Sequence, residues 1–181
     1  MLPGEQRFLK GAQAFDISVL AEIYDSYSPA LYVYSMRLLG STSLAEECVS
    51  ETFTRFLDAL KRGRGPRSYL RAYLYRTAHN WITDQYRRQP PPPLELDEWL
   101  NIRSMPGTEG EVDLHLNREE LRQAIWKLTP EQRQVILLRY VEEWDLSEVS
   151  VAMQKPVGAI KALQHRAIEN LRRILVQEEE D

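Results

Sequence analysis

Cysteine is almost absent from this 181-residue chain; Cys48 is the only one. No disulfide can form within the chain, which excludes a cross-linked secreted scaffold and suits a reducing compartment. Histidine is nearly as scarce. His79, His115 and His165 stand far apart, and with a single thiol they give no spacing of metal ligands. No glycine-rich phosphate loop precedes a helical pattern. The adjacent acids Glu46–Glu47 and Glu142–Glu143 diverge on a helix rather than flank a substrate. No enzyme activity, cofactor, metal or small-molecule substrate is expected. No stretch of about 18 apolar residues is present, so no spanning helix is expected. The opening MLPGEQRFLKGAQAF lacks the basic region and apolar core of a signal peptide. The predicted location is the cytoplasm.

What the chain does have is charge, and it is segregated. The formal net charge is −4, yet Lys61, Arg62, Arg64, Arg67, Arg71, Arg76, Arg87 and Arg88 stand against a single acid, Asp84, between residues 61 and 88. Tyr69, Tyr73, Tyr75, Tyr86 and Trp81 are threaded through the same segment. An acidic stretch follows, with Glu95, Asp97, Glu98, Glu109, Glu111 and Asp113, and then a second basic block near the C-terminus. Two basic blocks separated by an acidic one point to two surfaces for a polyanion.

The clearest boundary is RRQPPPPLELDE, because four prolines in a row cannot continue a helix. Residues 91–113 are predicted as a semi-rigid, acidic linker between helical domains at 14–90 and 114–177. In the first domain, DISVLAEIYDSY puts Leu20, Ile23, Tyr24 and Tyr27 on one helical face. SPALYVYSMRLLG predicts a separate helix, with Ser28 as its cap, Pro29 first inside and Gly40 as its stop. SLAEECVSETFTRFLDAL predicts a capping box between Ser43 and Glu46. Its apolar face includes Cys48, and Glu47, Ser50, Glu51 and Arg55 lie on its other face. A long basic helix is predicted from Pro66 to Arg88, with Leu70, Leu74, Thr77, Trp81 and Gln85 as its core stripe. Tyr75, Arg76, His79, Thr83, Tyr86 and Arg87 then form the opposite, DNA-suited face, where cations neutralise phosphates and rings stack on unpaired bases.

In the second domain LNREELRQAIWKL predicts one helix. Thr129 with Gln132, and Asp145 with Glu148, predict two further capped helices. A tight break at Gln154–Lys155 precedes PVGAIKALQHRAIENLRRIL. A short helix, a tight turn and a basic helix make a helix-turn-helix. Lys161, His165 and Arg166 are the candidate base readers and Lys155 a candidate backbone contact. The fold class is therefore all-α, with two small helical domains, the second a helix-turn-helix.

These segments resemble, in order, those of bacterial RNA polymerase sigma factors of the extracytoplasmic-function group. LYVYSMRLLGSTSLAEECVSETFTRFL is similar to the core-binding segment, SYLRAYLYRTAHNWITDQYRR to the −10 and melting segment, and LTPEQRQVILLRYVEEWDLSEVSVAMQKPVGAIKALQHRAIENLRR to the −35-binding domain. The resemblance implies a transcription initiation factor whose partners are core polymerase (the β′ coiled coil and the β flap), promoter DNA and an anti-sigma protein. By position, it assigns Glu47, Ser50, Glu51 and Phe53 to the β′ coiled coil, with Ser50 where the family usually has Gln. It assigns Arg76, Asn80, Asp84, Arg87 and Arg88 to the −10 element, with His79 in place of a usual Arg. The KRGRGP loop, with Lys61, Arg62, Arg64 and Arg67 in or beside it, resembles the family's loop that captures a flipped base. Lys161, His165 and Arg166 match at −35, and Ala162 and Leu163 replace a common Ser-Arg pair, which implies apolar readout. A stand-alone helix-turn-helix regulator is the alternative.

Two magnitudes favour a large partner. Opening ten base-pair steps costs on the order of 14 kcal/mol at about 1.4 each, whereas stacked bases return about 1–3 kcal/mol apiece. An extended linker of about 23 residues spans up to roughly 75 Å, enough for elements two helical turns apart.

Overall fold

The computed structural model describes residues 4–88, 121 and 123–178. The predicted linker at 91–113, and with it Trp99 and His115, lies outside them. The chain divides into two compact units, each helical, with no strand among the described residues.

The first unit contains α1 (Glu5–Gln13), α2 (Ile17–Leu39), α3 (Thr42–Lys61) and α4 (Leu70–Arg88). Helix α1, which precedes the predicted domain at 14–90, packs on α2 and α4 and buries Leu9 and Ala12. Its end is tied off by Phe15 at φ 55°, with Asp16 N–H donating to the Gly11 carbonyl at 2.9 Å. Asp16 then turns to the next helix. Its carboxylate accepts from the amides of Ser18 at 2.9 Å and Val19 at 3.4 Å, satisfying donors that the first turn of α2 leaves unpaired.

Helix α2 is one element, not two. The predicted break at Ser28–Pro29 is corrected, since Pro29 sits inside the helix. A proline there removes one N–H donor and usually kinks or breaks a helix. Tyr27 and Leu31, on either side of it, are both buried, and that packing holds the backbone helical through the defect. Gly40, at φ 65°, ends the helix as predicted, in a left-handed conformation that costs a residue without Cβ little. The predicted capping box of Ser43 and Glu46 is also corrected. Helix α3 starts earlier, with Ser41 Oγ accepting from the Leu44 amide at 3.4 Å.

Helix α4 begins at Leu70 rather than at Pro66, and it lies against α1, α2 and α3. Its buried residues are Leu70, Ala72, Leu74, Tyr75, Ala78, Trp81 and Ile82. Cys48, fully buried on α3, points its thiol at the Ala78 carbonyl, 3.7 Å away. Burial pushes that thiol up to about 11, so Cys48 is a packing residue, as predicted, with no nucleophilic character.

In the second unit residues 123–127 are helical. They are followed by α5 (Pro130–Ile136), a π turn (Leu137–Val141), α6 (Leu146–Met153) and α7 (Val157–Glu178). Both predicted capping boxes are present, Thr129 with Gln132 and Asp145 with Glu148. In the π turn Glu142 N–H donates to the Leu137 carbonyl at 2.9 Å, a five-residue step that ends the predicted long helix early. Helix α7 packs on α5 and buries Ile160, Leu163 and Ala167.

If Asp16 caps α2 and Ser28 caps nothing, Asp16→Ala is expected to lower the thermal midpoint by a few degrees, while Ser28→Ala leaves it unchanged. The Ser18 hydroxyl, which donates to the Asp16 carboxylate at 2.8 Å, and then the capping amides of Val19 and Ser18 hold that carboxyl below its ordinary value. Its stabilisation is therefore present at neutral pH and is lost as pH falls through that depressed value. Circular dichroism melts of both variants at neutral and acid pH check this.

Candidate functional site

Three surfaces carry the predicted site residues. The first lies on α2 and α3. Glu47 and Ser50 are exposed and Glu51 is half-buried, with Arg55 Nε donating to Glu51 at 2.8 Å one turn on. Phe53 is 7% exposed, so it cannot protrude to meet a partner. Its ring instead packs on Tyr24, with centroids 4.7 Å apart. These two rings wall a groove of about 650 Å³ that Tyr32, Val33, Val49 and Leu57 also line, with Glu46 and Ser50 contributing polar atoms. An apolar groove beside carboxylates suits a helical partner bearing both cations and apolar side chains.

The second surface is the loop from α3 to α4 together with the far side of α4. Lys61, Arg62, Arg64, Arg67, Asn80, Arg87 and Arg88 are exposed. Arg76 is half-buried, its guanidinium 5.3 Å from the centroid of the Tyr73 ring. Asp84 and Arg87 form a loose pair at 3.7 Å across exposed side chains, worth little on its own.

The structure corrects the predicted DNA-suited face of α4 in three places. Tyr75 is fully buried, 5.0 Å from the Tyr34 ring. His79 belongs to the same cluster, its Nδ1 3.3 Å from Tyr34 Oη. Tyr86 is half-buried and its hydroxyl donates to the Leu38 carbonyl. Helix α4 packs on α2 and α3 at once, so the arc it buries is wide. From Leu70 past Tyr75 to Ala72 it covers roughly 200° at about 100° per residue. The predicted stripe stopped short of Tyr75 and Ile82 because a wheel gives the direction of burial and not its width. The accessible aromatics are instead Tyr69, 41% exposed, and the edge of Tyr73. Tyr69 gives little sequence signal beyond its place in the basic loop.

The third surface is the N-terminal half of α7. Lys161, Ala162, His165 and Arg166 are all exposed. The 161/165 and 162/166 spacings put them on neighbouring rows of one face. Leu163 is corrected from a candidate reader to a core residue at 7% exposure. The turn before α7 is held by Gln154 at φ 52° and by Ser150 Oγ, which donates to the Lys155 carbonyl at 2.6 Å. The Lys155 ammonium is 3.1 Å from Glu131, which holds it at the edge of this face.

Sequence comparison bears on these surfaces. Residues 23–90 match the family model for sigma-70 region 2, and residues 124–173 match that for sigma-70 region 4. The chain is 30% identical over 187 residues to the ECF RNA polymerase sigma factor SigW of Bacillus subtilis, covering 92% of this chain and 94% of SigW. It is 30% identical over 168 residues to the ECF RNA polymerase sigma factor BldN of Streptomyces coelicolor, covering 91% of this chain and 63% of BldN's length. Among solved structures, CnrH in complex with the cytosolic domain of CnrY matches with a TM-score of 0.69 at 18% identity, over 97% of this chain and 99% of that one. RpoE of Bartonella quintana, in complex with the anti-sigma factor NepR, matches with a TM-score of 0.62 at 20% identity, over 86% and 95%. These two show the fold. The two matched regions define a sigma-70-type transcription initiation factor. The chain belongs to the extracytoplasmic-function group of RNA polymerase sigma factors, proteins that direct polymerase to promoters.

The site residue that departs most from the resemblance, His79, carries a pH signature. Burial pushes its imidazole down to about 4, so the folded state holds it neutral while an unfolded chain protonates it near its ordinary value of about 6.5. The unfolded state binds more protons between those values, so stability is full above about 6.5 and falls as pH drops towards 4. The residue as a whole is half-exposed, which limits the effect to about 1–2 kcal/mol. Urea unfolding at pH 7 and pH 5 is expected to show this loss, and His79→Gln to show less of it. Equal pH dependence in both proteins would contradict a buried neutral ring.

Proposed function

We propose that the chain docks on core RNA polymerase through α2 and α3 and reads promoters with two separate cationic surfaces. Glu47, Ser50 and Glu51 contact a basic, helical element of the polymerase, the β′ coiled coil, and Phe53 shapes the groove that receives it. Lys61, Arg62, Arg64 and Arg67, with Arg76, Asn80, Asp84, Arg87 and Arg88, engage the −10 region and the opened strand. Lys155, Lys161, Ala162, His165 and Arg166 engage the −35 duplex. His79 and Tyr75 act by supporting the −10 helix from within. The polymerase supplies the chemistry and this chain is a non-catalytic cytoplasmic subunit.

The observation that supports this best is the sorting of α4. Its apolar arc, with Tyr75 and Trp81, is buried, while its exposed end and the loop before it hold cations with few acids. Like charges held close together repel one another, and a polyanion relieves that. CnrH and the Bartonella RpoE are each described with a bound protein, the cytosolic domain of CnrY and the anti-sigma factor NepR. We propose a comparable inhibitory partner here.

Run-off transcription from a genomic promoter library should start at specific sites only when this protein and core polymerase are combined. Specific initiation by neither combination, or tight sequence-specific duplex binding by the free protein, would favour a stand-alone regulator. The double variant Glu47→Lys/Glu51→Lys should lose core binding at least tenfold in a pull-down without a change in its melting curve. Unchanged binding would move the docking face elsewhere.

A further inference from the structure

The basic loop between α3 and α4 is fixed at its two ends by different means. Its entrance is closed locally. Gly63 takes φ 67°, Arg64 N–H donates to the Ala59 carbonyl at 2.8 Å and Gly63 N–H to the Leu60 carbonyl at 2.9 Å. Together these satisfy the open carbonyls at the end of α3.

Its exit has no such device. The residue before α4 is Tyr69, a non-glycine at φ 53°, a conformation that persists in a bulky side chain only where its surroundings enforce it. Tyr69 carries a phenol, which does not act as the usual short cap that accepts from first-turn amides. The acceptor comes instead from the other end of the unit. Arg71 N–H donates to Glu5 Oε1 of α1 at 3.3 Å, and Glu5 is 3% exposed. A carboxylate at a helix N-terminus is stabilised by the unpaired amides and the helix dipole. At the far end of α1, Gln13 Nε2 donates to the carbonyl of buried Pro66 at 3.5 Å. Helix α1 thus touches the second half of the loop at Pro66 and the helix start just beyond it at Arg71.

We propose that α1 is a clamp that sets the shape of the 64–69 segment, with Glu5 and Gln13 as positioning residues for promoter opening. The clamp holds Tyr69 in its left-handed, exposed position and presents Arg64 and Arg67 in one arrangement. It rests on the reading that this loop faces DNA. Neither Glu5 nor Gln13 touches nucleic acid in this scheme. A purely structural role for α1 would act through its core residues Leu9 and Ala12, whereas Gln13 is exposed and contributes little to the core.

The test uses the full chain with core polymerase and compares Glu5→Ala, Glu5→Gln and Gln13→Ala with the loop control Arg64→Ala/Arg67→Ala. One readout, for the Glu5 and Gln13 variants against the unaltered protein, is the rate of trypsin cleavage after Arg64 and Arg67, sites that the loop control lacks. The other is promoter opening, followed by a fluorescent base analogue in the −10 element, set against core affinity. Loss of one hydrogen bond should speed loop cleavage about fivefold. Glu5→Ala and Gln13→Ala should do this and slow opening by a similar factor with core affinity unchanged. Glu5→Gln keeps an acceptor oxygen and should restore most of both. If the loop control is defective while Gln13→Ala and Glu5→Ala cleave and open normally, the clamp is overturned and the DNA-facing loop stands. If the loop control opens promoters normally, the DNA-facing role of the loop falls, and the clamp with it. Should Glu5→Ala fail to fold, Gln13→Ala decides alone.

Discussion

Everything in the first unit depends on burying one broad side of α4 while leaving the rest of it free. Leu70, Leu74, Tyr75, Trp81 and Ile82 are each worth about 1.5–3 kcal/mol when removed from water. Ordering each residue costs about 1–2 kcal/mol in backbone entropy alone. A unit this small has no margin to spend its largest rings on a partner. Tyr75 stacks inside on Tyr34, and the ligand-facing work passes to groups whose burial would cost free energy. Arginine and lysine stay outside because their charge would need pairing in the core. The same helix can therefore be both the keel of the unit and its basic surface. The division between the two follows transfer free energy rather than the order of residues in the motif.

That division explains what could be read in the sequence and what could not. Features set by neighbours in the chain were legible: the boxes at Thr129–Gln132 and Asp145–Glu148, the stop at Gly40, Cys48 as core, and the helix-turn-helix with its exposed face of Lys161, Ala162, His165 and Arg166. The exposure of Glu47 was legible too, since it follows from helical period alone. Features set by packing from several sides were not. Pro29 carries a strong local signal for a helix start, and burial of its neighbours overrides that signal. His79 aligns with a cation in the family pattern, yet its ring lies against Tyr34 Oη because α2 closes over that side of α4. Leu163 occupies a position where a reader was expected, but it is buried on α7, the helix that packs on α5. In each case a local rule met a tertiary contact worth more than the rule.

Helix ends show the same limit more sharply. Both units contain a helix terminus satisfied by a charged side chain remote from it, and in both the sign of the charge suits the terminus. Glu5 brings a carboxylate to the Arg71 amide in the first turn of α4. Arg133, 4% exposed, brings a guanidinium to the carbonyls of Ile125, Trp126 and Leu128 at 3.3, 2.6 and 3.2 Å, where the 123–127 helix runs out. Its charge also lies 4.0 Å from the centroid of the Trp126 ring. A lone buried charge would be costly, but one that meets several oriented dipoles of opposite sense recovers much of its lost hydration. Capping boxes announce themselves by a three-residue spacing. A cap delivered from another helix has no spacing to read, because the fold sets the distance. What the sequence does show is composition. Glu5 lies in an N-terminal stretch that also holds Arg7 and Lys10, and Arg133 lies in a helix that buries Gln132, Gln134, Val135 and Ile136. Each is a charged residue spent where its surface neighbours did not need it. The segregation that first separated two cationic surfaces from an acidic chain is therefore incomplete by design of the packing. Among the described residues the charges held inside, Glu5 and Arg133, are those that finish helices, and the other cations stay at the surface.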